Sequence, residues 1–390
     1  MKITRFNNLY VYFVCSQLLF LPVYFYYTPL IPVTINTDKA IWMHIIGIFW
    51  SAIGYFTARF TYSLQEKPNG EPTEDKQYFF SNPFYVCSYL LLITGTIIAI
   101  LQVILFVPIM EYISNLFSGD FDADIRVAYL LSSDEEGLPG IIKMFAYAPL
   151  SIYLMSLGLL SFMKLAEVDR QRLKTLSLIA FGAIIIKIFF SLDRLTIMAV
   201  LLANIFIGFK SGYIKKIRYW IPIAVIFLLA NYLSTKRLEN VGIIDFIVLY
   251  FKLGLINFQL MIDTCSQYTY GFSTILGPLY FIFKFFHLPS PDFESNYAWE
   301  WNPAQYFSSY AFQDFGYFYF VSFYIIGILL CVLSIRALKQ NVYSSAIYFV
   351  VLYGVVSFVF VPAIRGIDFW FALLLPLVLL NRFTENFNVP

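Results

Sequence analysis

The sequence predicts an all-α integral membrane protein that crosses a bilayer about ten times, and three observations lead there. Only 13% of the 390 residues are charged, whereas 60% are hydrophobic and 20% aromatic. A soluble chain carries roughly 25% charge, so half that figure leaves too little polar surface to cover a globule. Mean hydropathy is +0.72, and apolar runs of about 17–25 residues, the length of a membrane-spanning helix, recur from Leu9 to Leu380. Finally, the basic residues are distributed unevenly among the connecting segments.

The expected spans, taken in order, are 9–28, 41–60, 83–108, 141–163, 175–192, 195–209, 219–233, 316–335, 343–361 and 368–381. Lys2 and Arg5 precede the first run, and bulky, proline-rich Tyr24–Pro32 follows it, so it reads as an uncleaved span rather than a leader. Basic residues in short flanking loops stay cytoplasmic. With the N-terminus inside, cytoplasmic segments hold 16 of the 26 Lys and Arg and 7 of the 24 Asp and Glu. The short loops 164–174 and 210–218 decide it, with four basic residues each. Both termini are therefore expected in the cytoplasm.

Three connections are long. The polar segment 61–82 reads as a cytoplasmic loop, and 109–140 as an acidic external loop. The largest, 234–315, is external and contains two apolar stretches, 243–262 and 272–288, interrupted by Lys252 and Lys284. If both crossed, segment 263–271 would be cytoplasmic without one basic residue. The charge rule opposes that, so they are expected to lie in the outer interface; the alternative has twelve spans. The whole chain is read as one membrane domain.

A net charge of +2 leaves no basic face for nucleic acid. Cys15, Cys87, Cys265 and Cys331 form no Cys-x-x-Cys or Cys/His cluster, which excludes a disulfide framework and a structural zinc site. No carboxylate or histidine cluster predicts a catalytic metal, and no cofactor is expected. Inverted repeats with paired broken helices, the mark of many secondary transporters, are not evident.

Charged groups inside or at the ends of spans are costly in lipid and are the first functional candidates. Lys187, Asp193 and Arg194 cluster near the outer end of the fifth span. The seven-residue spacing would put Lys187 and Arg194 on one helical face, and the alternative is snorkelling with a local ion pair. Lys236 and Arg237 open the large external loop, and Arg365 lies in the short external turn VPAIRGID. Three external turns thus offer guanidinium groups at one membrane depth, where a lipid-linked diphosphate would present its charge. Arginine's planar fork suits bidentate phosphate binding; pairing with lipid headgroups is the alternative for each.

Of the two histidines, His44 lies within the second span and reads as a packed or helix-bonding residue. His287, at the outer end of FKFFHLPSP, is a candidate base or phosphate ligand. Beyond it, Asp292, Glu294 and Glu300 could activate a sugar hydroxyl, while Trp299 and Trp301 fit a membrane-interface belt. Arg126 and Gly137 form an Arg-x10-Gly spacing that chance readily produces.

The chain resembles the bacterial oligosaccharide repeat-unit polymerases, the O-antigen polymerase (Wzy-type) family. The resemblance rests on ten to twelve spans with one dominant external loop in the second half. It also rests on SLDRLTIMAVLLA at 191–203, and on NPAQYFSSYAFQDFGYFYFVSFYIIGILL at 302–330. A second convincing Arg-x10-Gly loop is missing. The resemblance implies metal-independent glycosyl transfer between two undecaprenyl-diphosphate-linked oligosaccharides on the external face of the bacterial inner membrane. A flippase and a chain-length regulator would be partners. On this reading Arg194, Arg237 and Arg365, supported by Lys236, stabilise the departing diphosphate. Lys187 is a further substrate contact. His287 or Glu294 acts as base, and Asp314 as base or arginine partner. A lipid-linked glycan ligase shares this logic with a different acceptor; a flippase or exporter would need a continuous hydrophilic path. A dolichol-phosphate-type transferase would need acidic pairs in the first external loop, which has only Asp38.

Overall fold

Long apolar runs have no alternative in lipid but to bond their own backbone, and helices dominate the protein. The computed structural model describes residues 8–19, 36–65, 77–105, 140–191, 194–211, 243–275, 306–359 and 362–387, with a few isolated positions between them. The helices are α1 (Leu9–Leu18), α2 (Asp38–Gln65), α3 (Asn82–Ile104), α4 (Gly140–Met144), α5 (Ala148–Phe162), α6 (Glu167–Ser191), α7 (Arg194–Ser211), α8 (Ile243–Thr264), α9 (Phe307–Phe315), α10 (Phe320–Leu338), α11 (Val342–Val356) and α12 (Ile367–Phe383). A helix stands in each of the expected spans except 219–233, which lies outside the described residues. Among the described residues, five helical stretches are long and apolar enough to cross a membrane: Asp38–Leu64, Asn82–Ile104, Ile142–Phe162, Phe320–Leu338 and Val342–Val359.

Two compact units divide the chain. One comprises residues 1–74, 244–344 and 351–370; the other comprises 75–243, 345–350 and 371–390. In the first, α2 and α10 run against each other at backbone contact distance. A Cβ on Gly54 would meet the Tyr324 carbonyl oxygen at 2.1 Å, and one on Gly327 would meet that of Ser51 at 2.0 Å. Close approach through small residues is how helices associate where lipid removes the hydrophobic driving force. Helix α1 joins this pair through polar bonds: Asn8 Nδ2 donates to the Tyr55 hydroxyl at 2.6 Å, and the Leu9 amide to Ser334 Oγ at 3.1 Å.

Stretch 243–262, expected in the outer interface, forms the body of α8. From Phe251 to Met261 this helix is buried on nearly every face, with only Lys252 and Leu260 partly exposed. A helix lying on a surface would leave one face open. Its far end is tied to the start of α2: Gln259 Oε1 accepts the Ala40 amide at 3.0 Å, and Lys39 pairs with Asp263 at 3.2 Å. Ala40 N–H is one of the donors that a helix start leaves without an intrahelical partner, so Gln259 caps α2 from 219 residues away. The second stretch, 272–288, is described mainly as the turn ending at Ile275.

In the second unit α5 is buried on almost all sides, and a Cβ on its Gly158 would meet the Ser345 carbonyl oxygen at 2.0 Å. The sequence reading contains no strand, yet β1 (Gln77–Phe80) and β2 (Thr384–Phe387) form an antiparallel ladder, with Tyr78 opposite Asn386. Tyr78 also bridges to Leu165. Buried Asp169 anchors β1, accepting from the Tyr85 hydroxyl at 2.8 Å and the Phe80 amide at 3.4 Å. Four-residue strands carry too little pattern to stand out beside long apolar runs.

Candidate functional site

Among the described residues of the first unit, the densest polar arrangement is built where α9 meets the turn after α8. Helix α9 ends at Gly316, whose φ of 56° and whose contact with the Tyr268 ring, 2.7 Å from a would-be Cβ, both require glycine. That termination leaves Asp314 in the last turn, fully buried. Its Oδ1 accepts from Thr269 Oγ1 at 2.5 Å and the Ser273 amide at 2.8 Å. Its Oδ2 accepts from the Thr274 amide at 2.9 Å and Thr274 Oγ1 at 2.5 Å. An ionised carboxylate offers about four acceptor positions, and all are taken.

The same helix end holds the turn through its backbone. Thr269 and Tyr270 amides donate to the Gln313 and Asp314 carbonyls, each at 3.0 Å. Ser273 Oγ and Gln313 Oε1 lie 2.5 Å apart. Tyr270 adopts φ 51° and Gly271 φ 101°. An aromatic residue in the left-handed region costs on the order of 1–3 kcal/mol and persists only where its surroundings hold it. Asp314 and Gln313 supply that hold.

Arg365 closes the arrangement from the short 3-10 turn Ala363–Arg365. Its Nε donates to the Ser273 carbonyl at 2.9 Å, and its guanidinium lies 3.8 Å over the Tyr310 ring. The side chain is partly exposed and has no carboxylate partner among the described residues. Burial pushes the Tyr310 phenol above its ordinary range, opposed in part by the Arg365 charge, so the stacked ring is neutral near pH 7. A guanidinium stacked on a ring, steered through Nε and uncompensated by any described carboxylate is suited to an anion with several oxygens.

The other candidates are placed as follows. Lys187 is 3% exposed; its ammonium donates to Thr196 Oγ1 at 3.3 Å and sits 3.6 Å over the Tyr147 ring. It is engaged inside the second unit, tying α6 to α7. Lys187 does not share a helical face with Arg194, because α6 ends at Ser191 and α7 begins at Arg194. A seven-residue spacing shares a face only within one continuous helix, and Ser191 and Arg194 belong to separate helices. The Arg194 side chain, Lys236, Arg237, His287 and Glu294 lie outside the described residues. His44 is fully buried, with Nδ1 2.6 Å from Ser308 Oγ and Nε2 3.2 Å from the Gln17 carbonyl. That makes it a bond between helices.

Asp314 was expected as a base or an arginine partner. With every acceptor position occupied and no exposure, its carboxylate has none free to receive a substrate proton; it reaches Arg365 only through the turn. The turn residues Thr269, Ser273 and Thr274, and Tyr310 beneath the guanidinium, went unnoticed in sequence. The available signal was the run of hydroxyls in YTYGFST beside a helix ending in Asp-Phe-Gly. Among the described residues no group of three or more His, Cys, Asp or Glu could hold a metal ion.

No family model matches the chain, and comparison with curated proteins and with solved structures returns no relative.

Proposed function

We propose that this protein polymerises undecaprenyl-diphosphate-linked oligosaccharide repeat units, and that Arg365 binds the diphosphate of the lipid-linked donor. One observation carries the reading: a partly exposed guanidinium, stacked on Tyr310 and steered by the Ser273 carbonyl, has no described carboxylate to neutralise it. In the reaction a hydroxyl of the acceptor sugar attacks the anomeric carbon of the donor glycan. The bond from that carbon to the diphosphate oxygen breaks, and the diphosphate leaves with the electron pair. The hydroxyl proton passes to a base, for which His287 and Glu294 are the candidates. Preorganised donors aimed at charge that develops in the transition state give the largest single contribution in such transfers. Arg194, Lys236 and Arg237 keep the phosphate-binding roles proposed from their positions in the sequence.

The ten-span topology belongs to this proposal. The β1–β2 ladder and the Tyr78–Leu165 bridge support one side for loop 61–82, loop 164–174 and the C-terminal segment, the side the basic residues assign to the cytoplasm. The Lys39–Asp263 pair supports an external position for 263–271. Both observations support ten spans rather than twelve, with the Asp314–Arg365 arrangement external in this reading.

Deletion of the gene tests the function. A polymerase deletion leaves surface glycan of single repeat units; a ligase deletion leaves polymer on the carrier lipid and none at the surface. Normal polymer length in the deletion strain would refute the proposal.

A further inference from the structure

The peptide group between Ser273 and Thr274 joins two charged side chains. Its N–H, that of Thr274, donates to Asp314 Oδ2 at 2.9 Å, while its carbonyl, that of Ser273, accepts from Arg365 Nε at 2.9 Å. The sequence of contacts is carboxylate, N–H, carbonyl, guanidinium, and the peptide dipole is aligned with both charges. From this juxtaposition we infer that Asp314 is a positioning residue that acts on Arg365 through the 273–274 peptide, orienting the guanidinium for a phosphate-bearing ligand without neutralising it by direct contact.

Hydrogen bonds in a chain polarise one another, so a carboxylate on the amide side strengthens the carbonyl as an acceptor for Nε. A direct Asp–Arg pair would occupy the bidentate face of the guanidinium, the face a phosphate needs. Here the carboxylate is spent on four neutral donors and the bridging is done by Nε alone, so the terminal amino groups keep no described carboxylate. The turn itself also depends on Asp314, because Tyr270 at φ 51° lies in the left-handed region and a relaxed turn would carry Ser273 away from Arg365.

The inference rests on the diphosphate reading of Arg365, and the experiment separates the two. Full-length protein is purified in lipid nanodiscs, and inorganic pyrophosphate binding is measured by calorimetry for wild type, Asp314→Asn, Arg365→Lys and the double variant. Thermal unfolding is recorded for each. Asp314→Asn is expected to weaken binding about tenfold, a coupling typical of contacting networks. Arg365→Lys is expected to weaken it at least as much, and the double variant no further than Arg365→Lys alone. A merely structural role would lower the unfolding temperature and add its loss to that of Arg365→Lys. If Asp314→Asn does not fold, Thr274→Val, which removes one hydroxyl donor and keeps the bridging amide, replaces it with the same non-additivity at about threefold. Additive losses, or unchanged affinity in the folded Asp314 or Thr274 variant, would overturn the inference and leave the Arg365 reading standing. Wild type that does not bind pyrophosphate, or Arg365→Lys that binds it normally, would overturn both.

Discussion

Arg365 and Lys187 differ in how far tertiary packing encloses a basic side chain. Both stand over tyrosine rings, at 3.8 Å and 3.6 Å. Lys187 is enclosed and engages a threonine hydroxyl, whereas Arg365 is partly exposed. Hydropathy cannot separate them, because both are single basic residues beside apolar runs; what differs is tertiary enclosure. Asp263 offers a residue-scale test by pH. Gln259 Nε2 donates to its carboxylate at 2.8 Å and Lys39 pairs with it, holding it below the usual carboxylate range, with the Gln259 bond the larger cause. A depressed folded pKa stabilises above the unfolded value and is lost as pH falls through the folded one. Asp263→Asn is therefore expected to lower stability slightly at pH 7, by less than about 1 kcal/mol for an exposed pair. The difference from wild type should close below pH 3.8, the ordinary value; denaturation midpoints across that range check it, and a difference that widened on acidification would contradict it.

At the scale of elements, the α2–α10 contact and the β1–β2 ladder make opposite demands on sequence reading. The long apolar helices were legible because an apolar run of that length has few other interpretations, and the ends of α2, α3, α10 and α11 fall within about five residues of the expected limits. Which helix touches which was not legible, since Gly54 and Gly327 become meaningful only once a carbonyl is seen 2.1 or 2.0 Å from where a Cβ would stand. Gly327→Leu is expected to force the helices apart and cost about 1–3 kcal/mol or more. Its thermal unfolding midpoint in detergent should fall by several degrees. The ladder was invisible because its strands lie 304 residues apart at their closest pair, Phe80 and Thr384, and each is only four residues long. Cysteines at Tyr78 and Asn386, directly opposite in the register, should cross-link in membranes. A pair shifted one residue along β2 would face opposite sides of the ladder and should not. Equal cross-linking of both pairs would contradict the register. The Asp314 site fell between these cases: its residues stood in the sequence, but a hydroxyl-rich turn acquires meaning only beside the helix end that folds against it.

Across the whole molecule, reporters fused after Lys76, Lys174 and Lys216 are expected to give cytoplasmic signals, and those after Glu136 and Asn296 external ones. A cytoplasmic signal at Asn296 would move the Asp314–Arg365 arrangement to the wrong side for a lipid-linked donor. Polymer formation is also expected to persist in excess chelator if, as proposed, arginines supply the charge stabilisation; full, metal-reversible loss would contradict that. The proposed reaction is transfer of lipid-linked glycan, with Arg365 donating hydrogen bonds to the departing diphosphate. It is tested most directly by reconstituting purified protein in liposomes with an undecaprenyl-diphosphate-linked repeat unit and measuring the initial rate of polymer formation. Wild type should extend the glycan, and Arg365→Lys, which keeps the charge and loses the fork, should be slower by about a hundredfold at equal abundance. No polymer from wild type, or equal rates from the two proteins, would contradict the account.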